Sequence, residues 1–389
     1  MVSTPAISVR AVPELSTVDP QAWDALDHGG SPFLEYAFLR ALEESGSVGA
    51  RAGWQPHYLL AETQASGEGP LLIGAVAAFV KSHSYGEYIF DFAWAGASHR
   101  AQIPYFPKLV VAAPMTPATG PRLLVAPHVA REPVVAALVE AARALADEWA
   151  CSSIHWLYLT ERDQADLVAR GYARRRSLQF HWHNRGYASF DEFLAALASR
   201  KRKQLRKERR RAREAIEELS FLTGGELAAS DLADLDRFYR GTVRAHGGTP
   251  YLRPGFFARL VERAPERVVF ARARRGGVTA AGALFLETER ALYGRYWGAD
   301  LELDCLHFEL AYYAAVERCI ERAIPLFEAG AQGEHKLLRG FEPVLTRSAH
   351  WIRNPELSRA VEGFLAAEAR ELEAHARELA AYLPYKHGG

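Results

Sequence analysis

One feature constrains the fold of this 389-residue chain more than any other: an order of predicted elements that occurs twice. In the first half, the apolar run 71–80 predicts a buried strand, because it is continuous and bounded by Gly69-Pro70 and a polar segment. The aromatic run 85–96 predicts a partner strand. The stretch REPVVAALVEAARALADEW has helical periodicity, and residues 152–159 predict a further strand. This half is therefore expected to be an α/β unit.

The second half follows the same order. Strands are predicted at 268–275 and 278–287 around the turn Gly276-Gly277, followed by a strand at 290–299. A helix over LHFELAYYAAVERCIERA and a strand over IPLFEAG complete the series. Strand, strand, apolar helix and strand thus recur roughly 170 residues apart, which indicates two copies of one α/β unit.

Other segments fill the space around these copies. The segment 103–127 is rich in proline, so short strands are expected there but no helix of any length. A helical region is predicted at 190–246, between the copies. A long helix rich in Ala, Glu and Leu is predicted from Pro355 to about Tyr382.

Composition gives little information about partners. Lys plus Arg equals Asp plus Glu, at 47 each, so any partner signal must come from local clusters of charge. Cys151, Cys305 and Cys319 have no metal-type spacing, which fits a reducing compartment without disulfides. The N-terminus shows no signal-peptide pattern, and the longest apolar run is about half of what spans a bilayer. We expect a cytoplasmic protein without a bound metal.

The segment SRKRKQLRKERRRAR, residues 199–213, has ten Lys or Arg residues and one acidic residue. It predicts a helix with one apolar residue, Leu205, and therefore no wide buried face. The helix could be a solvated element whose cations pair with nearby carboxylates. Alternatively, it could bind the phosphates of RNA or of a nucleotide-diphosphate substrate. The candidate phosphate ligands are Arg200, Lys201, Arg202, Lys203 and Arg206.

A second candidate is the stretch FEAGAQGEHKLLRGFEPV, residues 327–344. Gly330 and Gly333 allow unusual backbone conformations or the close approach of a ligand. A carboxylate or imidazole at Glu334 or His335 could remove a proton from an attacking amine. Lys336 and Arg339 could hold a carboxylate or phosphate. The alternative is a turn whose charges lie in solvent.

Isolated residues add further candidates. Tyr296 and Trp297 could line a pocket or belong to the core. His307 begins an apolar helix, where a neutral imidazole or an anion would be favoured. Asp91, between apolar residues, is either hydrogen-bonded structure or a base with a raised pKa, and Tyr105 and Lys108 could share its pocket. The familiar nucleophile, P-loop, dinucleotide and zinc-protease motifs are absent from the sequence.

Several of these segments together resemble a bacterial family described as peptidoglycan biosynthesis/recognition, or Fem-like, proteins of the GNAT acyltransferase superfamily. The resemblance covers about residues 30–353. Its segments are IFDFAWAGA, IPYFPKLVVAAPMTPATGPRLLV, SRKRKQLRKERRRAR, GALFLETERALYGRYWGA, LHFELAYYAAVERCIERA and FEAGAQGEHKLLRGFEPVLTRSAHW. Related Fem enzymes carry two GNAT domains and pass an aminoacyl group from a charged tRNA to an amine of a peptidoglycan precursor.

The resemblance implies an α/β protein with mixed sheets, arranged as tandem GNAT-like domains with a C-terminal helix. The implied domains are 1–185, 186–354 (including the basic helix 199–213) and 355–389. Arg339, Gly340 and Phe341 match a basic-Gly-Phe element of the Fem enzymes, and TGPRLLV resembles their Gly-Pro element. The usual GNAT pyrophosphate loop is absent from both halves, which weakens acetyl-CoA as the donor. The long helical-hairpin arm of some Fem enzymes is also missing.

The leading hypothesis is therefore an acyl- or aminoacyltransferase with an amine acceptor, for which a peptidoglycan precursor is the candidate. Glu334 or Asp91 would be the base, with His335 as the other candidate. The cleft and substrate ligands would be drawn from Lys336, Arg339, Tyr296, Trp297, His307, Tyr105, Lys108 and Gly333. No tightly bound cofactor is expected; acetyl-CoA and aminoacyl-tRNA are the candidate donors. The alternatives are a non-catalytic binding module for RNA or a cell-wall precursor, and an acetyl-CoA-dependent N-acetyltransferase.

Overall fold

The computed structural model describes residues 6–64, 69–331 and 333–386. The chain divides into two compact units. The first unit comprises the residues up to Ser177 together with Thr346–Glu373, and the second comprises Leu178–Leu345 together with the residues from Ala374 onward. The predicted domain boundaries, 1–185, 186–354 and 355–389, stay a prediction.

The strands are β1 (Ile7–Val12), β2 (Gln55–Gln64), β3 (Pro70–Lys81), β4 (Lys108–Val111), β5 (Leu124–Val125), β6 (Ser153–Leu159), β7 (Ala173–His183), β8 (Glu218–Thr223), β9 (Val268–Arg275), β10 (Val278–Glu287), β11 (Ala291–Ala299), β12 (Leu326–Glu328) and β13 (Glu342–Ile352).

The α-helices are Pro20–Asp24, Tyr36–Glu44, Phe92–Arg100, Arg131–Glu148, Glu161–Val168, Phe190–Ala196, Ser199–Glu214, Ala229–Ala245, Phe256–Arg263, Leu306–Phe308, Ala314–Glu321 and Pro355–Ala381. A π-helical turn occupies Glu309–Tyr313, and short 3-10 helices include Glu334–Arg339. Among the helices that the structure describes, none combines the length and the apolar content that crossing a bilayer requires.

The sheet of the first unit is mixed. The pairs β1–β2, β2–β3 and β3–β4 are antiparallel, whereas β4 and β6 are parallel and are connected through the helix Arg131–Glu148. Parallel neighbours need a long crossover, usually a helix, because the chain must return to the end of the sheet where the first strand began. The helix packs closely on β3, since a Cβ added at Gly74 would lie 2.4 Å from Val134 Cγ1. Glycine at position 74 therefore lets the helix bury its apolar face.

The sheet of the second unit has the same order. The pairs β8–β9, β9–β10 and β10–β11 are antiparallel, and β11 and β12 are parallel, with the helical segment 306–321 between them. Four strands in antiparallel succession, a helix and a parallel strand thus occur in each unit. The duplication that the sequence predicts is confirmed at the level of strand order.

Most predicted elements are confirmed, including β3, β6, β9, β10, β11 and the helices Arg131–Glu148, Ser199–Glu214 and Pro355–Ala381. The strand predicted at 85–96 is wrong. Gly86 and Tyr88 have positive φ values of 80° and 60°, which break an extended run, and a helix begins at Phe92. The predicted helical region 190–246 is interrupted by β8, whose residues pair with β9. The sequence pattern also left β1, β2, β7 and β13 unassigned, because pairing across long sequence separations defines them.

Candidate functional site

A cleft opens in the second unit where two parallel strands diverge. β11 pairs with β12 over three residues, from Ala291 opposite Leu326 to Tyr293 opposite Glu328. β12 ends there, whereas β11 continues to Ala299. The register of β11 against β10 also shifts, because Phe285 lies opposite Gly294 but Leu284 lies opposite Tyr296. This bulge re-aims the side chains of β11 next to the opening, a common use of bulges beside functional sites.

The cleft contains a cavity of about 170 Å³. Its walls come from β10, β11, the helical segment after β11 and the exit of β12, and most of them are apolar or aromatic. The lining residues are Ala283, Leu284, Phe285, Gly294, Arg295, Tyr296, Trp297, His307, Ala311, Tyr312, Ala329 and Gly330. The predicted cleft residues Tyr296, Trp297 and His307 are thus brought together, and among the described residues no carboxylate lines the cavity.

The π-helical turn Glu309–Tyr313 shapes one wall of this cavity. Such a turn inserts a residue into a helix and often marks a functional position. Tyr312 lines the cavity, and its hydroxyl lies 3.0 Å from Nε2 of His335. Burial raises the pKa of Tyr312 to about 12, and Arg339 opposes this effect. Partial burial, together with Arg339 and Lys336, lowers the pKa of His335, so its imidazole is neutral at pH 7 and can accept a proton.

Lys336 lies at the exit of β12 and is 1% exposed. Its Nζ donates a hydrogen bond of 2.9 Å to the carbonyl oxygen of Gly330, a cavity residue. In residues 6–64, 69–331 and 333–386, no carboxylate forms an ion pair with it. Burial lowers the pKa of Lys336 to about 7. A buried nitrogen that can be either an ammonium or an amine at physiological pH is therefore bonded to a residue of the cavity wall.

The remaining residues of the 3-10 helix have different environments. Glu334 is exposed, with 70% of its side chain accessible, and its carboxylate lies 3.8 Å from Nε2 of His375. Glu334 is not part of the cavity wall. Gly333 has a φ of 111°, and a Cβ there would lie 2.5 Å from the ring of His335. Glycine at this position lets the imidazole lie where it reaches Tyr312.

Arg339 is buried and paired. Its Nη2 lies 3.0 Å from Oε2 of Glu208, its Nη1 donates to the carbonyl oxygen of His335, and its guanidinium stacks 3.5 Å from the centre of the Phe308 ring. Tyr313 donates its hydroxyl proton to the same Glu208 carboxylate. These bonds connect the 3-10 helix to the helix Ser199–Glu214, so Arg339 holds the site together rather than facing solvent.

The helix Ser199–Glu214, hereafter the basic helix, has two different halves. In the C-terminal half, Arg209 and Arg213 hold the fully buried carboxylate of Glu309 and also contact Glu317. Arg211 pairs with Asp304 at 2.5 Å. These cations fix the helix to the rest of the second unit, which is what the ion-pairing interpretation of the sequence predicts.

Most cations in the N-terminal half of the basic helix have no ion-pair partner among the described residues. Within the part of the chain that the structure describes, Arg200, Arg202, Lys203 and Lys207 form no ion pair. Among the described residues, the Lys201 ammonium forms a hydrogen bond only to the amide oxygen of Gln204, at 3.4 Å. Arg206 pairs with Asp191, but 55% of the Arg206 side chain is exposed. This half remains available for the phosphates that the sequence predicts.

Asp91, Tyr105 and Lys108 form a separate cluster in the first unit. Asp91 accepts hydrogen bonds from the Lys108 ammonium and, at 2.6 Å, from the Tyr105 hydroxyl. Lys108 also donates to Glu87 at 2.8 Å. Burial alone would raise the pKa of Asp91, but Lys108, His155 and a hydrogen bond from Ser84 together outweigh burial and lower it. Of the two alternatives left by the sequence, Asp91 is hydrogen-bonded structure; the raised pKa is wrong.

The corresponding cleft of the first unit is filled by the chain itself. After β4, Gly120 forms a parallel bridge with Leu159, and Arg122 is fully buried. The Arg122 guanidinium donates to the carbonyl oxygens of Leu157 at 3.0 Å and Ala118 at 2.7 Å. The segment TGPRLLV thus closes the space that stays open between β11 and β12.

The sequence analysis missed three residues of the second-unit site: Tyr312, Glu208 and Glu309. The pair Tyr312-Tyr313 inside an apolar helix was the available signal, because buried hydroxyls need partners. Glu208 is the single acid of the segment 199–213, which could have marked it as the partner of a buried cation.

Comparison with known proteins assigns the family. A family model described as peptidoglycan biosynthesis/recognition, FemAB-like, matches residues 14–387, and the chain belongs to this family. None of the curated proteins compared with it matches the chain.

Solved structures show the fold. FemX aligns over 91% of this chain and 100% of its own, with 12% identity and a TM-score of 0.53. L-PGS from Bacillus licheniformis aligns over 91% and 97%, with 11% identity and a TM-score of 0.54. A tandem GNAT protein from the clavulanic acid biosynthesis pathway aligns over 90% and 99%, with 13% identity and a TM-score of 0.45. The chain is a mixed α/β protein that shares the fold of FemX and L-PGS, with two compact units and a C-terminal helix.

Proposed function

We propose that this protein transfers an acyl or aminoacyl group to an amine of a peptidoglycan precursor, with the acyl group of the donor bound in the cleft between β11 and β12. The open cleft is the observation that carries the proposal. Past Tyr293, β11 no longer pairs with β12, and the cavity lies beside this open edge, where a donor acyl group could enter. Family membership supplies the link to peptidoglycan.

Lys336 would stabilise the negative charge that develops on the carbonyl oxygen during transfer. A buried ammonium is a strong donor in a site from which water is excluded, and a positioned donor of this kind is worth roughly 10²–10³-fold in rate. Its bond to the carbonyl oxygen of Gly330 keeps it beside a residue of the cavity wall. Two of its three protons are left for a ligand or for water.

Tyr312 and His335 would carry the proton that the attacking amine loses. As the C–N bond forms, the amine proton passes to the Tyr312 oxygen, and the Tyr312 proton passes to Nε2 of His335, 3.0 Å away. The bond from the carbonyl carbon to the donor oxygen or sulfur then breaks, and the departing alkoxide or thiolate takes up a proton from solvent to leave as the alcohol or thiol. His335 is partly exposed and can release its proton to solvent. This assignment favours His335 over Glu334 among the predicted bases.

The N-terminal half of the basic helix would bind phosphates of the donor. Arg200, Lys201, Arg202, Lys203 and Arg206 are the proposed ligands. Aminoacyl-tRNA and acetyl-CoA both carry phosphates and remain the two candidate donors. The filled cleft of the first unit favours a recognition role, without chemistry, for that unit alone.

A transfer assay tests the proposal. The protein is incubated with a UDP-linked peptidoglycan precursor and either labelled aminoacyl-tRNA or labelled acetyl-CoA, and labelled precursor is measured by mass spectrometry. We expect transfer from one donor and its loss in Lys336→Met. Leu338→Ala, an exposed neighbour in the same 3-10 helix, is the matched control and should retain activity. Full activity in Lys336→Met, or no transfer from either donor, would refute the proposal.

A further inference from the structure

A cluster of exposed aromatic side chains lies in the first unit, on the segment 82–106. Tyr85 is 60% exposed, Phe90 51%, Phe92 55% and Phe106 36%. The rings of Phe90 and Phe92 stack on each other, with centroids 5.5 Å apart. Concentrated aromatic exposure of this kind is unusual on a protein surface and indicates an interaction site.

The fold holds these aromatic residues outward. Asp91 lies between Phe90 and Phe92, and its carboxylate is bound inside by Lys108 and Tyr105. Because Asp91 points inward, its two neighbours are directed to the surface. Arg175 also donates to the carbonyl oxygen of Phe90, at 2.9 Å.

A second buried lysine holds the other end of the segment. Lys81 donates to the carbonyl oxygen of Tyr85 at 2.9 Å and lies 3.6 Å from Glu87. Both lysine side chains are fully buried, as their partners Glu87 and Asp91 nearly are. Burying four charged groups costs free energy, so an arrangement that also exposes phenylalanine is poorly explained by stability alone.

Within the segment 82–106 itself, the charge left at the surface is positive; outside the segment, Glu368, which pairs with Arg175, is 27% exposed. The acids of the segment, Glu87 and Asp91, are 3% and 2% exposed and are neutralised inside. Arg100, at the end of the helix that Phe92 begins, is exposed. Arg51 is exposed next to Ala52, whose carbonyl oxygen contacts His83, and the His83 ring packs against Tyr85. Within the described ranges, neither arginine forms an ion pair.

We propose that this aromatic cluster docks the protein on an anionic lipid surface. Aromatic rings are favoured at the boundary between headgroups and acyl chains, and exposed arginines are attracted to anionic lipids. A rigid display held by buried ion pairs suits shallow insertion, since the rings need no rearrangement to enter the headgroup layer. Docking of this kind is independent of the transfer reaction and needs no membrane-spanning segment.

Vesicle flotation tests this proposal. The protein is mixed with vesicles of phosphatidylcholine, alone or with about one third phosphatidylglycerol. We expect flotation with the anionic vesicles, weakened by salt. The double variant Phe90→Ser/Phe92→Ser should bind at least about tenfold more weakly, and Arg100→Glu should weaken binding to anionic vesicles alone. Leu301→Ser, at an exposed apolar residue of the second unit, is the matched control and should float like the parent protein.

Three outcomes would overturn the proposal. The parent protein could fail to float with either vesicle, or the double phenylalanine variant could float as well as the parent. Light scattering could also show a dimer that dissociates in the double variant without any binding to vesicles, which would assign the cluster to self-association. Melting temperatures confirm that each variant is folded; serine at two exposed positions should change them little.

Discussion

Replacing Lys336 by methionine should make the protein more stable at neutral pH and less active. The pKa of Lys336 falls from 10.5 to about 7 because burial disfavours the ammonium. At about 1.4 kcal/mol per pKa unit, the charged form costs about 5 kcal/mol of folding free energy. Methionine has a similar shape and no charge, so it removes this cost. It also leaves the carbonyl oxygen of Gly330 without its donor, a loss of about 1–3 kcal/mol.

The sign of the effect depends on pH. Between about 7 and 10.5, the unfolded chain binds the Lys336 proton and the folded chain does not, so the stability of the parent protein rises with pH over this range. At pH 6 the full cost is present, and Lys336→Met should be about 2–4 kcal/mol more stable than the parent. At pH 10 the folded lysine is neutral, whereas the unfolded lysine is about three-quarters protonated, so about 1 kcal/mol of the cost remains. The variant should then be up to about 2 kcal/mol less stable than the parent.

Denaturant unfolding of both proteins at several pH values measures this crossover. Lys203→Met, at an exposed lysine of the basic helix, is the control and should show no such trend. The chain has seven lysines, so NMR of ¹³C-labelled lysine can follow each one, and Lys336 and Lys81 should titrate near pH 7. A stability difference that is constant from pH 6 to 10, or a Lys336 signal that titrates above pH 10, would refute the reasoning.

Three further predictions concern the same unit. Tyr312→Phe should lower the transfer rate roughly 10²-fold with little change in melting temperature. Glu334→Gln should leave the transfer rate unchanged. An inactive Glu334→Gln protein would restore Glu334 as the base. Glu208→Gln should destabilise the protein by about 3 kcal/mol in denaturant unfolding, because Arg339 stays buried without its carboxylate; a loss below about 1 kcal/mol would contradict a buried pair. Lys203→Glu should flatten the salt dependence of RNA binding by about 0.7 in slope, whereas Arg211→Gln, which removes a cation already paired with Asp304, should change it little; equal slopes in both variants would argue against phosphate binding by the N-terminal half.

Local sequence patterns were sufficient to predict the order of most helices and strands. Apolar runs, helical periodicity and the turn Gly276-Gly277 predict β9, β10, β11 and the following helix, because each signal lies within a dozen or so residues. The repeat of that order indicated two related units. The strand prediction for the aromatic run 85–96 was wrong because a β-type composition does not reveal the turn at Gly86. It also does not reveal the buried hydrogen bond between Asp91 and Lys108.

The sequence by itself determined the class of fold, the family and the stretch of chain that forms the second-unit site. The tertiary structure decided what each charged residue does there. Arg339 and Glu208 are 131 residues apart in sequence but share a buried ion pair, and Glu334, beside His335, faces solvent instead of the cavity. The reason is physical: periodicity reports which face of an element is apolar. The partner of a buried charge is set by which elements pack together, and that is a property of the whole fold.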